Sequence, residues 1–314
     1  MTVSVCMGTY NGEPYIEQQL NTILHQTKAP EEVILCDDKS TDRTVEIIQR
    51  FIAENGLDGK WKLYQNIVNK GYPSNFYYAC SLCKEDIVFL ADQDDVWEKD
   101  KIAQMCHVLE ENPRANSICC KFDLMDEEGH EIHSAMTPTK AYGTGETRNV
   151  SIEEIFYKCE WPGMTIAYRR DWYESWSKGD YTIPHDFLIA AKAAEEEGGF
   201  LQMDTILAHH RRHDHNAGGE EHRINKLLNK QRKLKEIKDY LEILEAFHTE
   251  AVLTEETAKK ALEQKTASMK QREAALQSGK INKVIKNAWK NRKNMRLATV
   301  VCDVWIVRQN SSKS

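Results

Sequence analysis

The sequence predicts an α/β fold, a mixed sheet flanked by helices and followed by a helical C-terminal appendage. Three observations carry this. In the first hundred residues short apolar runs alternate with amphipathic stretches, as a parallel sheet with crossover helices requires. Each apolar run ends in a polar cluster, Thr9 to Asn11, Asp37-Asp38 and Asp92 to Asp95. Beyond Gly218-Gly219 the chain has almost no Gly or Pro and long charged helical stretches, which sets the expected domain boundary at 1–218 and 219–314.

Taken in order, Val3 to Met7 is a short buried strand and Gly8-Thr9-Tyr10-Asn11-Gly12 the turn after it. Tyr15, Ile16, Leu20, Ile23 and Leu24 recur at helical spacing over Glu13 to Gln26. Val33 to Cys36 is the second strand, and Ser40 or Thr41 is placed to cap the helix carrying Val45, Ile48 and Ile52, which stops near Asn55-Gly56. Lys62 to Tyr64 forms a third strand. After a polar loop, Asn66 to Ser74, a helix runs from Asn75 to about Cys83, and Ile87 to Leu90 is the fourth strand.

Further on, a helix is expected over Lys99 to Glu111, a strand over Ser117 to Leu124 and a turn at Glu127-Glu128-Gly129. Ser151 and Glu154 match a capping box. Trp161 to Tyr168 reads as a loop entering a strand, Pro184 opens a helix through Ala194, and Phe200 to Met203 is a strand ahead of the dense run His209 to Asn216. In the appendage, Ile224 to Leu244 and Ala258 to Leu276 carry helical stripes.

The 314 residues are 41% hydrophobic and 29% charged with a net charge of -7, so a core can form and a general nucleic-acid binder is not expected. Neither a signal peptide nor a membrane span is visible, which points to a cytoplasmic protein. Nine cysteines at irregular spacing read as buried thiols. Cys80 and Cys83 form a C-x-x-C, open to a redox or zinc reading or to core packing, and the helical apolar surroundings favour the core.

Open α/β sheets bind ligands beyond the carboxyl ends of their strands, so the three polar clusters should face one pocket. Asp92-Gln93-Asp94-Asp95 is the most informative of them. Two Asp one residue apart at a strand end can share Mg²⁺ or Mn²⁺, whose natural companion is a diphosphate. The bland reading is an Asp-rich turn capping the following helix. Neither G-x-G-x-x-G nor a P-loop occurs, so no glycine cradle for phosphate is expected.

With these motifs in order, the chain resembles family 2 glycosyltransferases of the GT-A fold, and within them bacterial rhamnosyltransferase-type enzymes of surface-polysaccharide assembly. The resemblance rests on Thr9-Tyr10-Asn11-Gly12-Glu13, Asp37 to Asp42, Asn69-Lys70-Gly71 with Asn75, Asp92 to Trp97, His185-Asp186 and Arg211 to Asn216. It implies a GT-A-like, Rossmann-type sheet and a nucleotide-sugar site. Thr9 and Asp37 would hold a pyrimidine base, with Tyr10, Asn11, Glu13, Asp38 and Asn75 near it. Asp92 and Asp94 would form the family's D-x-D, Asp94 on the metal and Asp92 facing the ribose or the metal's water shell.

The same resemblance makes Asp186 the base of an inverting transfer, against the alternative of a helix cap, and brings His213 to the metal and Arg211 to the diphosphate. Trp161, Met164 and His185 would line the sugar or acceptor pocket, or for Trp161 and Met164 simply pack the core. Asp95 is expected to cap or support. The donor implied is dTDP-rhamnose or a UDP-sugar, and the acceptor a glycan or lipid-linked glycan. A zinc site of His209, His210, His213 and His215 competes for the basic run. A sugar nucleotidyltransferase and a non-catalytic glycan-binding protein remain rival classes.

The segment 280–308 mixes basic residues with Ile281, Ile285, Trp289, Val301 and Trp305. Such a stretch can contact an anionic membrane peripherally or pack as a solvated helix.

Overall fold

A computed structural model of the chain describes residues 1–132, 144–158, 161–213, 229–250, 252–292 and 295–311. The chain divides into two compact units, one of Met1–Ser151 with Glu160–Arg212 and one of Ile152–Cys159 with His213–Ser314. The boundary expected at residue 218 falls outside the described residues.

The first unit is built on one nine-stranded mixed sheet. Its elements are β1 (Val3–Thr9), α1 (Ile16–Leu24), β2 (Glu32–Asp37), α2 (Thr44–Glu54), β3 (Trp61–Gln65), α3 (Tyr72–Leu82), β4 (Ile87–Ala91), β5 (Val96–Trp97), α4 (Lys101–Glu111), β6 (Ser117–Met125) and β7 (Thr147–Asn149). After α5 (Ile152–Lys158), which belongs to the second unit, follow a single 3-10 turn (Gly163–Thr165), β8 (Ile166–Arg169), α6 (Arg170–Trp176), α7 (His185–Ala193) and β9 (Phe200–Arg211).

The strand order is β3-β2-β1-β4-β8-β6-β9-β5, with β7 beside β9. Strands β1 to β4 are parallel neighbours, whereas β8 runs antiparallel to both β4 and β6. The parallel strands are covered on both faces, so β2 and β4 are buried at every position and read as unbroken apolar runs. One face of the sheet joins Val5, Met7, Val33, Leu35 and Phe89 to Ile16, Leu20, Ile48 and Phe51 in a single core. Each fully buried side chain of this type contributes roughly 2 kcal/mol by leaving water.

Several expectations need correction. Helix α3 begins at Tyr72, inside the stretch expected to be loop, because Pro73 sits in the first turn where its missing N–H costs nothing. Neither Ser40 nor Thr41 caps α2. Asp42 takes the first-turn N–H of Thr44 instead (3.0 Å), while Ser40 turns back to Asp37. Strand β9 continues eight residues past Met203, so His209 to Arg211 lie in the sheet, paired with β5 and β6. All eight cysteines among the described residues are free thiols, seven of them buried, in keeping with the core reading.

The second unit contains α5, α8 (Lys230–Thr249), α9 (Glu256–Gln277), α10 (Ile281–Lys290) and α11 (Leu297–Ser311). Asn229 caps α8 by accepting from the Arg232 N–H at 3.1 Å. Phe156 of α5 meets Phe247 of α8 edge to face with ring centroids 5.5 Å apart, and the Tyr240 hydroxyl donates to the Phe156 carbonyl. Helix α11 is tied to α9 by a two-pronged pair, Arg272 Nε and Nη2 to Asp303 at 2.8 and 2.9 Å. Asp303 is only 1% exposed, so removing one partner strands a buried charge. Asp303→Ala should lower the stability of this unit by about 3 kcal/mol in urea unfolding followed by circular dichroism. No helix among the described residues is long and apolar enough to cross a membrane.

Candidate active site

The register of the sheet assembles the site. Thr9 is the cross-strand partner of Asp37, and Met7 that of Ala91, so the carboxyl ends of β1, β2 and β4 lie level and Asp92 emerges beside the loop after β1. Because β8 is antiparallel to β4, with Phe89 opposite Ala167, its amino end and the preceding Gly163–Thr165 turn reach the same edge. The carboxyl end of β9 arrives there through β5, Val96 opposite His209.

Gln93 clasps the two loops. Its Oε1 accepts from the Tyr10 N–H at 2.9 Å and its Nε2 donates to the Tyr10 carbonyl at 3.0 Å. Gly12 leaves the space for this, since a Cβ there would fall 2.3 Å from Gln93 Oε1. Asn11 takes a positive φ of 49° and is held on both sides, its N–H donating to Ser40 Oγ and its Oδ1 accepting from the Thr41 N–H.

Asp37, buried with Thr9, accepts from Thr9 Oγ1 (3.0 Å), Ser40 Oγ (2.5 Å) and the Ser40 N–H (2.9 Å). Asp38 fixes the next loop, accepting from the N–H groups of Lys70 and Gly71 and from Asn66 Nδ2 at 2.7 to 2.8 Å. Asn75 donates to the Cys36 carbonyl and accepts from Asn66, both at 2.8 Å, so its amide fastens α3 to the end of β2. Glu13 pairs with Arg43 at 2.7 Å, an exposed contact that holds its carboxyl below the usual range through hydrogen bonds from Arg43.

Three carboxylates crowd the end of β4. Burial, then the charges of Asp95 and Asp94, push the Asp92 carboxyl well above its ordinary pKa. Asp95 is 1% exposed and does not cap α4, whose first residue follows Asp100. It latches β9 instead, Oδ1 accepting from the Arg211 N–H (3.1 Å) and facing His210 Nδ1 (3.0 Å), while Oδ2 is buried without a hydrogen-bond partner. For His210, burial pulls the pKa down, but the hydrogen bond to Asp95 and the acidic charges outweigh it, so the net shift is upward.

Arg211 is also 1% exposed. Its guanidinium donates to the carbonyls of Asp94 (2.9 Å), Asp126 (3.2 Å) and Glu127 (2.6 Å) and to Gln18 Oε1 (2.6 Å), and lies 5.0 Å from the Tyr15 ring centroid. A guanidinium enclosed this way positions the Asp94 backbone. His209 bonds Glu98 at 2.7 Å and His210 bonds Asp95 at 3.0 Å, and as neighbours in β9 the two side chains point to opposite faces of the sheet, which argues against one shared metal. His213 follows β9 by two residues and is half-buried, and Asp214 to Asn216 lie outside the described residues.

Asp186 sits in the first turn of α7, after Pro184 and His185, so it is not the residue that caps the helix. It is half-buried, and its Oδ1 accepts from the Phe187 N–H (2.8 Å) and the Tyr72 hydroxyl (3.4 Å). Tyr72 was not singled out by sequence reasoning, although it directly follows Asn69-Lys70-Gly71. Its ring is 41% exposed at the rim, and burial of the hydroxyl followed by the charges of Asp186 and Asp92 raises its pKa well above the ordinary value.

His185 lies under this rim, stacked on Phe76 with centroids 3.9 Å apart and planes 9° from parallel. Neither ring nitrogen has a hydrogen-bond partner, and burial drives its pKa down from 6.5 to about 4. Met164 is fully buried in the sheet's core and Trp161 is 7% exposed against Phe200.

The His185 shift has a definite sign. The unfolded chain binds this proton below pH 6.5 and the folded one only near 4, so the stabilisation is whole above 6.5 and is lost as pH falls toward 4. The loss should approach about 3 kcal/mol across that window. His185→Phe should flatten the acid side of the stability profile measured by urea unfolding between those limits.

The mixed sheet with acidic residues gathered at the carboxyl ends of its strands is the architecture of an α/β transferase, and similarity to known proteins defines the class. The family model described as "Glycosyl transferase family 2" matches residues 4–175, more than half of the chain. The chain belongs to this family and is a glycosyltransferase. That sets aside the nucleotidyltransferase and non-catalytic readings.

An uncharacterized glycosyltransferase of Nostoc is 24% identical over 67% of this chain and 67% of its own length. The dTDP-rhamnosyl transferase RfbG of Shigella flexneri is 36% identical over 31% of this chain, a match spanning 34% of that protein. Among solved structures, S. aureus TarS in complex with UDP-GlcNAc shares the fold at a TM-score of 0.62 and 20% identity, covering 86% of this chain and 72% of the other. The GT-A-like architecture is thus that of the solved enzyme.

Proposed function

We propose that the chain moves one hexose or deoxyhexose from a pyrimidine nucleoside diphosphate sugar to a glycan or lipid-linked acceptor in cell-surface polysaccharide synthesis, with inversion and with Mg²⁺ or Mn²⁺. The observation that carries this is the hydrogen bond from the Tyr72 hydroxyl to Asp186, with the Asp92 carboxylate at the end of β4 close enough to act on the same hydroxyl. This supports Asp186 as the general base near a metal grip formed by the carboxylates that follow β4.

The residues fit a divalent cation. Asp92, Asp94 and Asp95 repel one another at a strand end, and Asp95 Oδ2 is a buried carboxylate oxygen with no partner, a cost that a nearby cation relieves. Asp92 and Asp94 are the half-buried members, and they would hold it. When bound, such an ion supplies charge neutralisation for the departing diphosphate.

In this reading the half-buried Asp186 carboxylate takes the proton from the acceptor hydroxyl as its oxygen attacks the anomeric carbon. The bond from that carbon to the diphosphate oxygen breaks, and the nucleoside diphosphate leaves with the electron pair. Tyr72 keeps the carboxylate aimed. Tyr10, Asn11 and Glu13, the accessible part of the first loop, border the base, while Thr9, Asp37, Asp38 and Asn75 hold the loops around it in shape. The name of the Shigella relative favours dTDP-rhamnose as the donor, and uridine diphosphate sugars come next.

A thermal-shift panel of nucleoside diphosphates and nucleotide sugars, each with and without Mn²⁺, tests the reading. Stabilisation should need both the cation and a pyrimidine, and should reach about 2.7 kcal/mol at a hundredfold excess over Kd. Stabilisation by adenine nucleotides alone overturns the donor assignment.

A further inference from the structure

Ten large hydrophobic side chains are exposed among the described residues, and six of them fall within the 25 residues from Ile281 to Trp305. Singly exposed apolar residues mean little, but a concentration of this kind marks a surface meant to be covered. The six form two rows. Ile281, Ile285 and Trp289 recur at i, i+4 and i+8 on α10, and Leu297, Val301 and Trp305 at the same spacing on α11. Trp289 is 74% exposed and Leu297 79%.

These rows are not misplaced core. Each helix already buries another face, through Val284, Asn287 and Ala288 in α10 and Asp303, Ile306 and Val307 in α11. The Arg272–Asp303 pair and the Asn291–Gln271 hydrogen bond then fix both helices to their unit. The outward rows are held out by a folded scaffold.

Charge identifies what covers them. The segment 280–308 holds eight basic residues and one acidic residue in a chain whose net charge is -7. That one acid, Asp303, is buried against Arg272 and contributes nothing at the surface. On α10 the exposed Lys283, Lys286 and Lys290 form a second row next to the apolar one, and the Arg292 guanidinium lies 5.5 Å from the Trp289 ring centroid. Tryptophans beside a cationic row suit the boundary between lipid headgroups and acyl chains. A second copy of the chain is a poor occupant, because two such faces would oppose like charges.

We infer that α10 and α11 form a membrane-docking face that takes an anionic lipid bilayer, the apolar rows entering the headgroup boundary and the lysine row meeting the negative surface. The inference does not rest on the donor or on the catalytic roles given above. Its test reads membrane partition and not sugar transfer, so the two readings fail separately.

The full chain is floated with vesicles of phosphatidylcholine alone and of phosphatidylcholine mixed with phosphatidylglycerol, at low and high salt. The protein should float with the anionic vesicles only, and less at high salt. Trp289→Ser with Trp305→Ser should lose most of the binding while keeping the circular dichroism spectrum, since both rings are exposed. In a second variant Lys283, Lys286 and Lys290 are replaced by Ala, and binding should fall on the order of 100-fold, from about 1 kcal/mol per basic residue near an anionic surface. If the unaltered protein ignores anionic vesicles, or binds neutral ones equally, the inference is wrong. It is also wrong if sedimentation shows a dimer that the Trp substitutions dissociate, because the face is then an interface between two copies.

Discussion

Asp186→Asn should cut sugar transfer by about 10²- to 10⁴-fold while leaving the fold and donor binding intact. The substitution keeps the shape of the side chain, and Asn Oδ1 can still accept from the Phe187 N–H and the Tyr72 hydroxyl, so α7 has no reason to move. What is lost is the capacity to take a proton. The decisive measurement is a single-turnover rate beside the donor-induced thermal shift. A slow variant with an unchanged shift supports the assignment of the base. A variant that transfers at the normal rate would falsify it, and Asp186 would then be a structural first-turn residue. Tyr72→Phe is the useful companion, because it removes only the 3.4 Å hydrogen bond and should weaken transfer far less than loss of the carboxylate.

Asp94→Ala should abolish the Mn²⁺-dependent part of the nucleotide thermal shift and lower kcat/KM by roughly 10²-fold or more, the effect of losing several kcal/mol of charge stabilisation on the leaving group. Its backbone role should survive, because Arg211 Nε is bonded to the Asp94 carbonyl and not to its side chain. The contrast with Asp95 is instructive. That carboxylate is buried and joined to His210 and to the Arg211 N–H, so its removal should be felt first as lost stability. If Asp94→Ala kept a full Mn²⁺-dependent shift, the cation would have to be held elsewhere. The three-residue group whose ligand atoms lie close enough together to hold a metal among the described residues is Asp126, Glu128 and His130, on the turn after β6.

The features that the sequence by itself determined are those with a short period. Strands β1, β2 and β4 are buried on both faces and therefore had to be continuous apolar runs, and the polar clusters that end them were readable one by one. Their convergence followed from the rule that parallel α/β sheets bind at the carboxyl ends of the strands. The family resemblance drew on the same clusters in the same order, which is why it agreed with the family match.

Tertiary structure alone decided which polar residues stay accessible at the strand ends and which are buried. Asp38, Asn75 and Arg211 look in the sequence like the residues around them, yet each is buried and bonded to a loop or carbonyl, and Asp95 is buried and latched to β9. The partners are far apart in the chain, 116 residues between Asp95 and Arg211 and 114 between Tyr72 and Asp186. A local pattern cannot register such contacts. The length of β9, the two-residue β5 and the burial of His185 escaped for the same reason: a polar side chain in the interior is tolerable or costly according to the groups that folding brings beside it, and those lie on other strands.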